Sequence, residues 1–203
     1  MFDSGISAKD LIDELTNEVD IALQIPNATY VQWLNSLQQF LYTEIIKEQK
    51  KITLKSNLQS PLSLSAIAVG NDENTPRFED ILTIYADDTQ LIKSTLTSGV
   101  IFPDTFYKDN NDIGFNTTNE PTEMTIVYIV KPALVKIDDN YNTNNVKVMV
   151  PIEFIDLVKA KLRGEAYKLA NEGDIAANWL NDYNILLETF KAWVADKSPN
   201  FGM

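Results

Sequence analysis

The sequence contains no cysteine and no histidine. Without cysteine, the chain cannot form disulfides, thiolate nucleophiles or Cys-based metal sites. Without histidine, it lacks the side chain that most often transfers protons near neutral pH, which excludes Ser-His-Asp, Cys-His and His-metal sites. Acidic side chains can still support glycosidase-type or Mg²⁺-dependent chemistry, but no pair is marked out by its spacing. We therefore expect no enzyme, no catalytic residue and no cofactor, with a carboxylate-based glycan-active enzyme as the catalytic alternative.

Glycine, long apolar runs and basic clusters are also scarce. The 7 glycines are scattered and form no phosphate-binding loop. No apolar run approaches the roughly 20 residues that cross a bilayer, and Met1–Gly5 lacks the basic start of a signal peptide. The formal net charge of −12 repels nucleic-acid phosphates and anionic lipid surfaces. We expect a soluble protein that binds neither membranes nor nucleic acid tightly.

Apolar residues at helical spacing predict two helices near the N-terminus, over about 8–23 and about 28–50. Ser7 is placed to cap the first helix, with Asp10 as its partner three residues on. Asn27 is placed to cap the second helix, whose terminal lysines suit the negative end of a helix dipole. The apolar stripes contain Leu11, Leu15, Val19 and Ala22 in the first helix, and Tyr30, Leu34, Leu37, Leu41 and Ile45 in the second.

Two further helices are predicted near the C-terminus. Pro151 is typical of a first helical turn, Gly173 of a helix end, and Asp174 of the cap of a following helix. The two helices therefore form a hairpin with a very short connection. Their stripes contain Ile155, Val158, Leu162, Ala166 and Leu169, and then Ala176, Leu180, Tyr183, Leu187, Phe190 and Val194.

Between the two helical regions the apolar period changes to alternation, which is typical of strands. Strands are predicted at 52–54, 60–67, 81–85, 90–93, 105–108, 112–115, 125–130 and 146–150. Since neither helix pair can bury its apolar face alone, we expect the pairs to pack together. The predicted fold is therefore α+β. It consists of a four-helix bundle from 1–51 and 151–196, an inserted small antiparallel β unit over 52–150, and a C-terminal docking tail over 197–203.

Several polar and aromatic features invite functional interpretation. The loop 138–145 resembles a calcium loop, but Met149 stands where glutamate is needed and the central glycine is missing, so a flexible hairpin loop is favoured. Asp87-Asp88 and 109–112 are better explained as turns than as metal ligands. Most aromatic residues fall on or beside the apolar stripes, which favours core packing over a ligand box. We therefore expect no metal site, whereas Trp193, at the edge of its stripe, is available to a partner.

The order of these elements resembles the head–tail adaptor proteins of tailed bacteriophages, the portal-binding connectors of the head-completion or tail-tubular type. In that family two N-terminal helices precede a β insertion, and two C-terminal helices and a tail follow. The similar segments are Ile25–Asn35 at the start of the second helix, 81–92 at the first hairpin, 106–108, 112–115 and 124–132 in the strand series, 150–158 at the entry to the third helix, and 177–180 with Tyr183 in the last helix.

The resemblance implies a virion structural protein that forms a ring, usually of twelve subunits, beneath the portal. Such a ring extends the DNA channel without binding the genome specifically, docks tail or neck proteins, and serves genome ejection. It implies a location at the virion neck after assembly in the host cytoplasm. The family's C-terminal segment commonly reaches toward the portal, so the implied docking residues are Trp193, Lys197, Pro199, Asn200 and Phe201. The alternative is another neck or tail completion protein of a phage virion.

Overall fold

The computed structural model describes residues 4–18, 24–55, 58–63, 77–94, 102–109, 112–132, 134–136 and 146–197. The chain divides into two compact units. One, here called the helical unit, combines Met1–Ile46 with Pro132–Met203, and the other, the sheet unit, is the continuous stretch Lys47–Lys131. The predicted boundaries fall at 51/52 and 150/151. Of the predicted docking tail, Lys197 is the last residue within the described part of the chain.

The described residues of the helical unit contain four α-helices. These are α1 (Ala8–Glu18), α2 (Asn27–Phe40), α3 (Ile155–Leu169) and α4 (Gly173–Lys197). A π-helical segment, Leu41–Ile46, continues α2, and a 3-10 turn, Ile152–Phe154, precedes α3. The predicted end of the first helix, near residue 23, lies outside the described residues.

The start of α1 has the predicted cap. The Ser7 hydroxyl accepts a hydrogen bond from the Asp10 backbone nitrogen at 3.0 Å and donates one to the Asp10 carboxylate at 2.6 Å. Two groups at the first turn are thereby paired, which is how a capping residue stabilises a helix end. At α2 the prediction is wrong, because Pro26 occupies the cap position without a side-chain bond and Asn27 is the first helical residue.

The helices bury most of the described stripe residues that predicted them, whereas Leu169 at the end of α3 is exposed. Each large apolar side chain removed from water contributes about 1.5–3 kcal/mol, so the stripes carry most of the stability of this unit. Helices α3 and α4 approach closely at Gly164, where a Cβ atom would lie 2.7 Å from Cδ2 of Leu180. The fully buried side chains include Leu11, Ile12 and Leu15 of α1, Tyr30 and Leu34 of α2, Leu157, Val158 and Leu162 of α3, and Phe190 of α4.

The second predicted helix is too long. Its α-helical part ends at Phe40, the π-helical segment ends at Ile46, and Lys47 adopts a positive φ of 48°. From Gln49 onward the chain is a strand that pairs with residues 124–129. Tertiary pairing therefore outweighs the local helical pattern, and Lys50 and Lys51, which resembled a helix terminus, lie on a strand instead.

The reversal between α3 and α4 also differs from the prediction. Asn171 has a φ of 62°, and the backbone nitrogen of Glu172 donates to the carbonyl of Tyr167 at 2.9 Å. Asparagine tolerates this left-handed conformation better than most residues and takes the role assigned to Gly173. Gly173 instead begins α4, and Asp174 lies in its first turn, where a carboxylate suits the helix dipole.

Residues 146–150, predicted as the last short strand, do not join the sheet. They lie against the N-terminal segment instead, where Ala8 N donates to Val146 O at 2.8 Å and Val148 N to Ile6 O at 2.9 Å. Ser7 and Lys147 form an isolated antiparallel bridge. The segment is almost entirely buried in the helical unit, so its alternating pattern reflects packing against helices.

The predicted architecture, a helical bundle with one small antiparallel β unit, is wrong. The described strands form a seven-stranded sheet with its own core, in the order β1-β7-β3-β4-β5-β6-β2. The sheet is mixed, because β4 and β5 run parallel with Ile92 opposite Thr105. The strands are β1 (Gln49–Leu54), β2 (Leu62–Ser63), β3 (Arg77–Ala86), β4 (Thr89–Lys93), β5 (Thr105–Asp109), β6 (Asp112–Asn116) and β7 (Met124–Lys131).

One apolar cluster spans the strands of the sheet unit. In β6 and β7 its members recur at every second residue, as the period of two requires. In β3, Ile81 and Ile84 are three residues apart, because a register shift falls between Ile81 and Thr83. Tyr107 and Gly114 face each other across β5 and β6, and the tyrosine ring covers the glycine so closely that a Cβ atom there would lie 2.2 Å from it. The cluster consists of Leu62, Ile81, Ile84, Ala86, Leu91, Phe106, Ile113, Phe115, Met124 and Ile126.

Candidate functional site

Three aromatic rings meet at the end of α4. Phe190 is fully buried, and its ring contacts Phe154 edge to face with 4.9 Å between centroids. Trp193 stacks on Phe190 at 6.1 Å and meets Phe154 edge to face at 5.4 Å. Such pairs add about 0.5–1.5 kcal/mol beyond the area they bury, so this cluster fixes the last turns of α4.

Trp193 and Lys197 are the predicted docking residues that the structure brings together. The Lys197 ammonium lies 5.9 Å from the centre of the Trp193 ring, a cation–π distance. Trp193 is half-buried because Phe154 and Phe190 cover part of its ring. The predicted docking residues Pro199, Asn200 and Phe201 lie outside the described residues.

The sequence interpretation missed Phe154 as a partner of this cluster. Phe154 lies in the 3-10 turn before α3, while the predicted apolar stripe begins one residue later at Ile155. Pro151 sets that turn, and the Phe154 nitrogen donates to the Pro151 carbonyl at 2.9 Å. A phenylalanine three residues after a helix-starting proline is the signal that could have predicted a contact at this end of the helix pair.

A second aromatic surface lies in a groove between α2, α3 and α4, with a volume of about 400 Å³. Trp33 and the partly exposed Phe40 line one wall, and Tyr183 lines the other. Lys161 lies 5.1 Å from the Tyr183 ring centre and also pairs with Glu165 at 2.7 Å. Burial raises the pKa of Tyr183, so its hydroxyl stays protonated in ordinary buffers.

Charged side chains of α3 form ion pairs with α1 and a cation–π contact with α4. Lys159 pairs with Glu14, and one turn further along both helices Arg163 pairs with Glu18. The Arg163 guanidinium also lies 4.8 Å from the ring centre of Trp179. These contacts set the register of α1 against α3, and Arg163 covers one face of the half-buried Trp179 ring.

In the sheet unit, two aspartates hold the loop between β6 and β7. Asp87, with a φ of 50°, accepts hydrogen bonds from Thr122 N at 3.1 Å, Thr122 Oγ1 at 2.8 Å and Glu123 N at 3.0 Å. Asp104, with a φ of 55°, accepts from Thr118 N at 2.9 Å and Thr118 Oγ1 at 2.8 Å. The loop is therefore tied to the turns on both sides of it.

These bonds lower the pKa of both aspartates. The Thr122 hydroxyl is the main cause at Asp87, and the Thr118 backbone nitrogen is the main cause at Asp104. Hydrogen bonds to a carboxylate favour its ionised form. A general acid needs the opposite shift, so the geometry assigns both groups a structural role.

Two other expectations concern metal and membrane binding. Within the stretches that the structure describes, no three acidic side chains lie close enough together to hold a metal ion. The predicted calcium-like loop, 138–145, lies outside those stretches. Among the described helices, none is both long and apolar enough to cross a lipid bilayer.

The sequence matches no known protein-family model, and no curated protein matches it significantly. A functional conclusion therefore depends on the residue patterns and on the geometry of the two units.

Proposed function

We propose that this chain is a virion structural protein, a head–tail adaptor that forms a ring beneath the portal of a tailed bacteriophage. The ring extends the DNA channel and docks tail or neck components at the virion neck, after assembly in the host cytoplasm. Its partners are the portal protein, tail or neck proteins, and further copies of the chain, with twelve as the expected number. It acts by assembly and uses no catalytic step and no cofactor.

The order of the structural elements carries this proposal. Helices α1 and α2 precede the sheet, α3 and α4 follow it, and α4 runs to Lys197, directly before the C-terminal segment. Helices from the two ends of the chain share one compact unit, and the strands between them form another. This is the element order on which the resemblance to adaptor proteins rests.

The end of α4 supports a docking role for the C-terminal segment. Phe154 and Phe190 hold Trp193, and Lys197 lies over its ring, so the helix is fixed up to the residue before Ser198. Binding costs less free energy when the base of a docking segment is already ordered. Phe201 supplies the large apolar side chain beyond that base.

The charge of the chain supports a conduit for DNA. At a net charge of −12, the protein gains no counterion-release energy from contact with DNA phosphates. An acidic channel wall therefore lets the genome slide without capture. The pKa values of Asp87 and Asp104 are lowered, which suits a structural role for these two carboxylates and not that of a general acid.

The test removes Lys197–Met203 and measures co-sedimentation with purified portal particles. We expect the full chain to bind at a fixed stoichiometry and the truncated chain to bind on the order of tenfold more weakly, since an apolar anchor is lost. Circular dichroism of the two chains should agree. Phe201→Ala should reproduce the loss, while Ser198→Ala in the same segment should not.

Normal attachment of the truncated chain would show that the docking assignment is wrong. Parallel sedimentation with purified tail particles separates the two virion roles. Binding to tail particles alone would favour a neck or tail completion protein. Binding to neither particle would overturn the proposed function.

A further inference from the structure

Positive charge is concentrated at one edge of the sheet unit. Lys47, Lys50 and Lys51 lie at or just before the start of β1, the outermost strand on that side of the sheet. Lys47 and Lys51 are exposed and Lys50 is half-buried. In a chain of net charge −12 this is a marked exception. These three residues are called the lysine edge below.

The strand that carries the lysine edge is the terminal strand of the described sheet. Residues Gln49–Leu54 pair with β7, and on their other side no strand is present among those the structure describes. Exposed and half-buried residues alternate along β1, and none of its six residues is buried. Lysines on such an edge discourage indiscriminate strand pairing. They also favour a partner whose surface is negative.

Negative charge is concentrated at another part of the same unit, called the acidic loop end. Leu54, at the far end of β1, pairs with Met124, whereas Lys50 pairs with Tyr128. At roughly 3.3 Å per residue, about 13 Å of strand separates Lys50 from Leu54. Glu123, beside Met124, pairs with Lys55 at 3.3 Å. The acidic loop end consists of Asp87, Asp88, Asp104, Glu120 and Glu123.

The acidic loop end is already ordered. Asp87 holds the loop through Thr122 and Glu123, and Asp104 holds it through Thr118. Asp88 and Glu120 are exposed, and within the described part of the chain their carboxylates make no hydrogen bond or ion pair. Two uncommitted carboxylates thus stand on a fixed scaffold, which lowers the entropic cost of contact with a partner.

We propose that copies of this chain associate head to tail, with the acidic loop end of one copy against the lysine edge of the next. Two acidic chains repel each other over most of their surfaces, and this contact pairs opposite charges instead. Because the two patches are different surfaces of one chain, the contact is heterologous and can repeat into a ring. The inference rests on the proposed function for the ring, although the contact itself requires no portal.

The test reverses charge on each side and then combines the variants. We expect sedimentation velocity at low ionic strength to show self-association of the full chain, weakened by added salt. Lys50→Glu with Lys51→Glu, or Asp88→Lys with Glu120→Lys, should each raise the dissociation constant on the order of 100-fold, because like charges then face each other. An equal mixture of the two double variants should associate again, since each interface then brings surfaces of opposite charge together.

The matched control reverses two exposed lysines of the helical unit, Lys168→Glu with Lys191→Glu, which changes net charge equally and should leave self-association unchanged. A monomeric full chain at low salt, or double variants that do not recover on mixing, would overturn the proposal. If Lys50→Glu with Lys51→Glu weakened portal binding but not self-association, the lysine edge would be a portal contact, and the proposed contact between copies would be wrong. If the chain self-associates as described but binds neither portal nor tail particles, the proposed function is wrong and the contact between copies is still supported.

Discussion

Asp87 accepts hydrogen bonds from both the backbone nitrogen and the hydroxyl of Thr122, although 35 positions separate the two residues in sequence. One carboxylate thereby joins the turn between β3 and β4 to the loop that precedes β7. The bonds favour the ionised carboxylate and lower its pKa from the ordinary value of 3.8. The stabilisation is fully present above pH 3.8 and is lost as the pH falls through the lowered folded-state pKa.

Asp87→Asn should therefore lower the free energy of unfolding near neutral pH. It should also make that free energy depend less on pH in the acidic range. The difference in urea midpoint between wild type and variant should be largest at about pH 7 and should shrink as the pH falls below 3.8 through the lowered pKa of the folded state. Asp88→Asn is the control, since it removes the same charge from the same turn without touching Thr122. Equal effects of the two substitutions at every pH would contradict the role given to Asp87.

Two glycines make a matched pair for a packing prediction. Gly114→Ala places a Cβ atom against the Tyr107 ring, where 2.2 Å is available, so the ring must move and stability should fall by roughly 1–3 kcal/mol. Gly173→Ala meets nothing within 4 Å at the start of α4, and should be neutral or stabilising by up to about 1 kcal/mol. Thermal unfolding of both variants measures the contrast. Tyr107→Ser combined with Gly114→Ala should recover part of the loss, and no recovery would point to backbone strain instead.

Asn35 of α2 holds the chain at Val135 by two complementary hydrogen bonds. Its side-chain nitrogen donates to Val135 O at 2.9 Å, and its side-chain oxygen accepts from Val135 N at 2.9 Å. Asn35→Asp removes the donor and sets a carboxylate against a carbonyl, which should cost roughly 1–3 kcal/mol. Gln39→Glu on the exposed side of the same helix introduces the same charge and should cost less than about 0.5 kcal/mol. Chemical denaturation measures the loss of stability in both variants. Similar losses would mean that the added charge, and not the lost hydrogen bond to Val135, causes the effect.

Arg163 makes two contacts that respond differently to salt. It pairs with Glu18 and lies over the ring of Trp179 at 4.8 Å. Arg163→Gln should cost roughly 1–2 kcal/mol in total, and added salt should weaken the Glu18 coupling more than the Trp179 coupling. Double-mutant cycles with Glu18→Gln and Trp179→Leu separate the two terms. The control is Lys191→Gln, which breaks a similar pair with Glu188 on the exposed face of α4 and should change stability little.

Local chemistry was readable in the sequence wherever neighbouring residues decide the structure. Ser7 and Asp10 form the predicted cap. Most stripe residues of α3 and α4 are buried as their spacing requires, but Leu169 is exposed. The end of α2 was not readable, because the helical period continues to Ile46 and nothing local announces that Gln49 pairs with Ile129. Pairing across 80 positions is a tertiary effect that outweighs local propensity.

The sheet topology and the candidate site illustrate the same limit. Alternation predicted strands but could not predict that β4 and β5 run parallel, since the direction depends on how the chain returns between them. At the candidate site, stripe position identified Trp193 as an edge residue, whereas its contact with Phe154 depends on how the turn before α3 is placed. Nothing in the sequence locates the partners of Asp87 and Asp104, because each lies on a different loop.

The discontinuity of the helical unit has a consequence for synthesis. The ribosome releases Lys47–Lys131 as one piece, so the sheet can close while translation continues. Helix α1 contacts both α2, which follows it directly, and α3, which begins only at Ile155. At roughly 5–20 residues per second, the contact between α1 and α3 waits on the order of ten seconds. The contacts between α1 and α3 therefore form late in synthesis, and slowing translation between residues 131 and 155 delays them further.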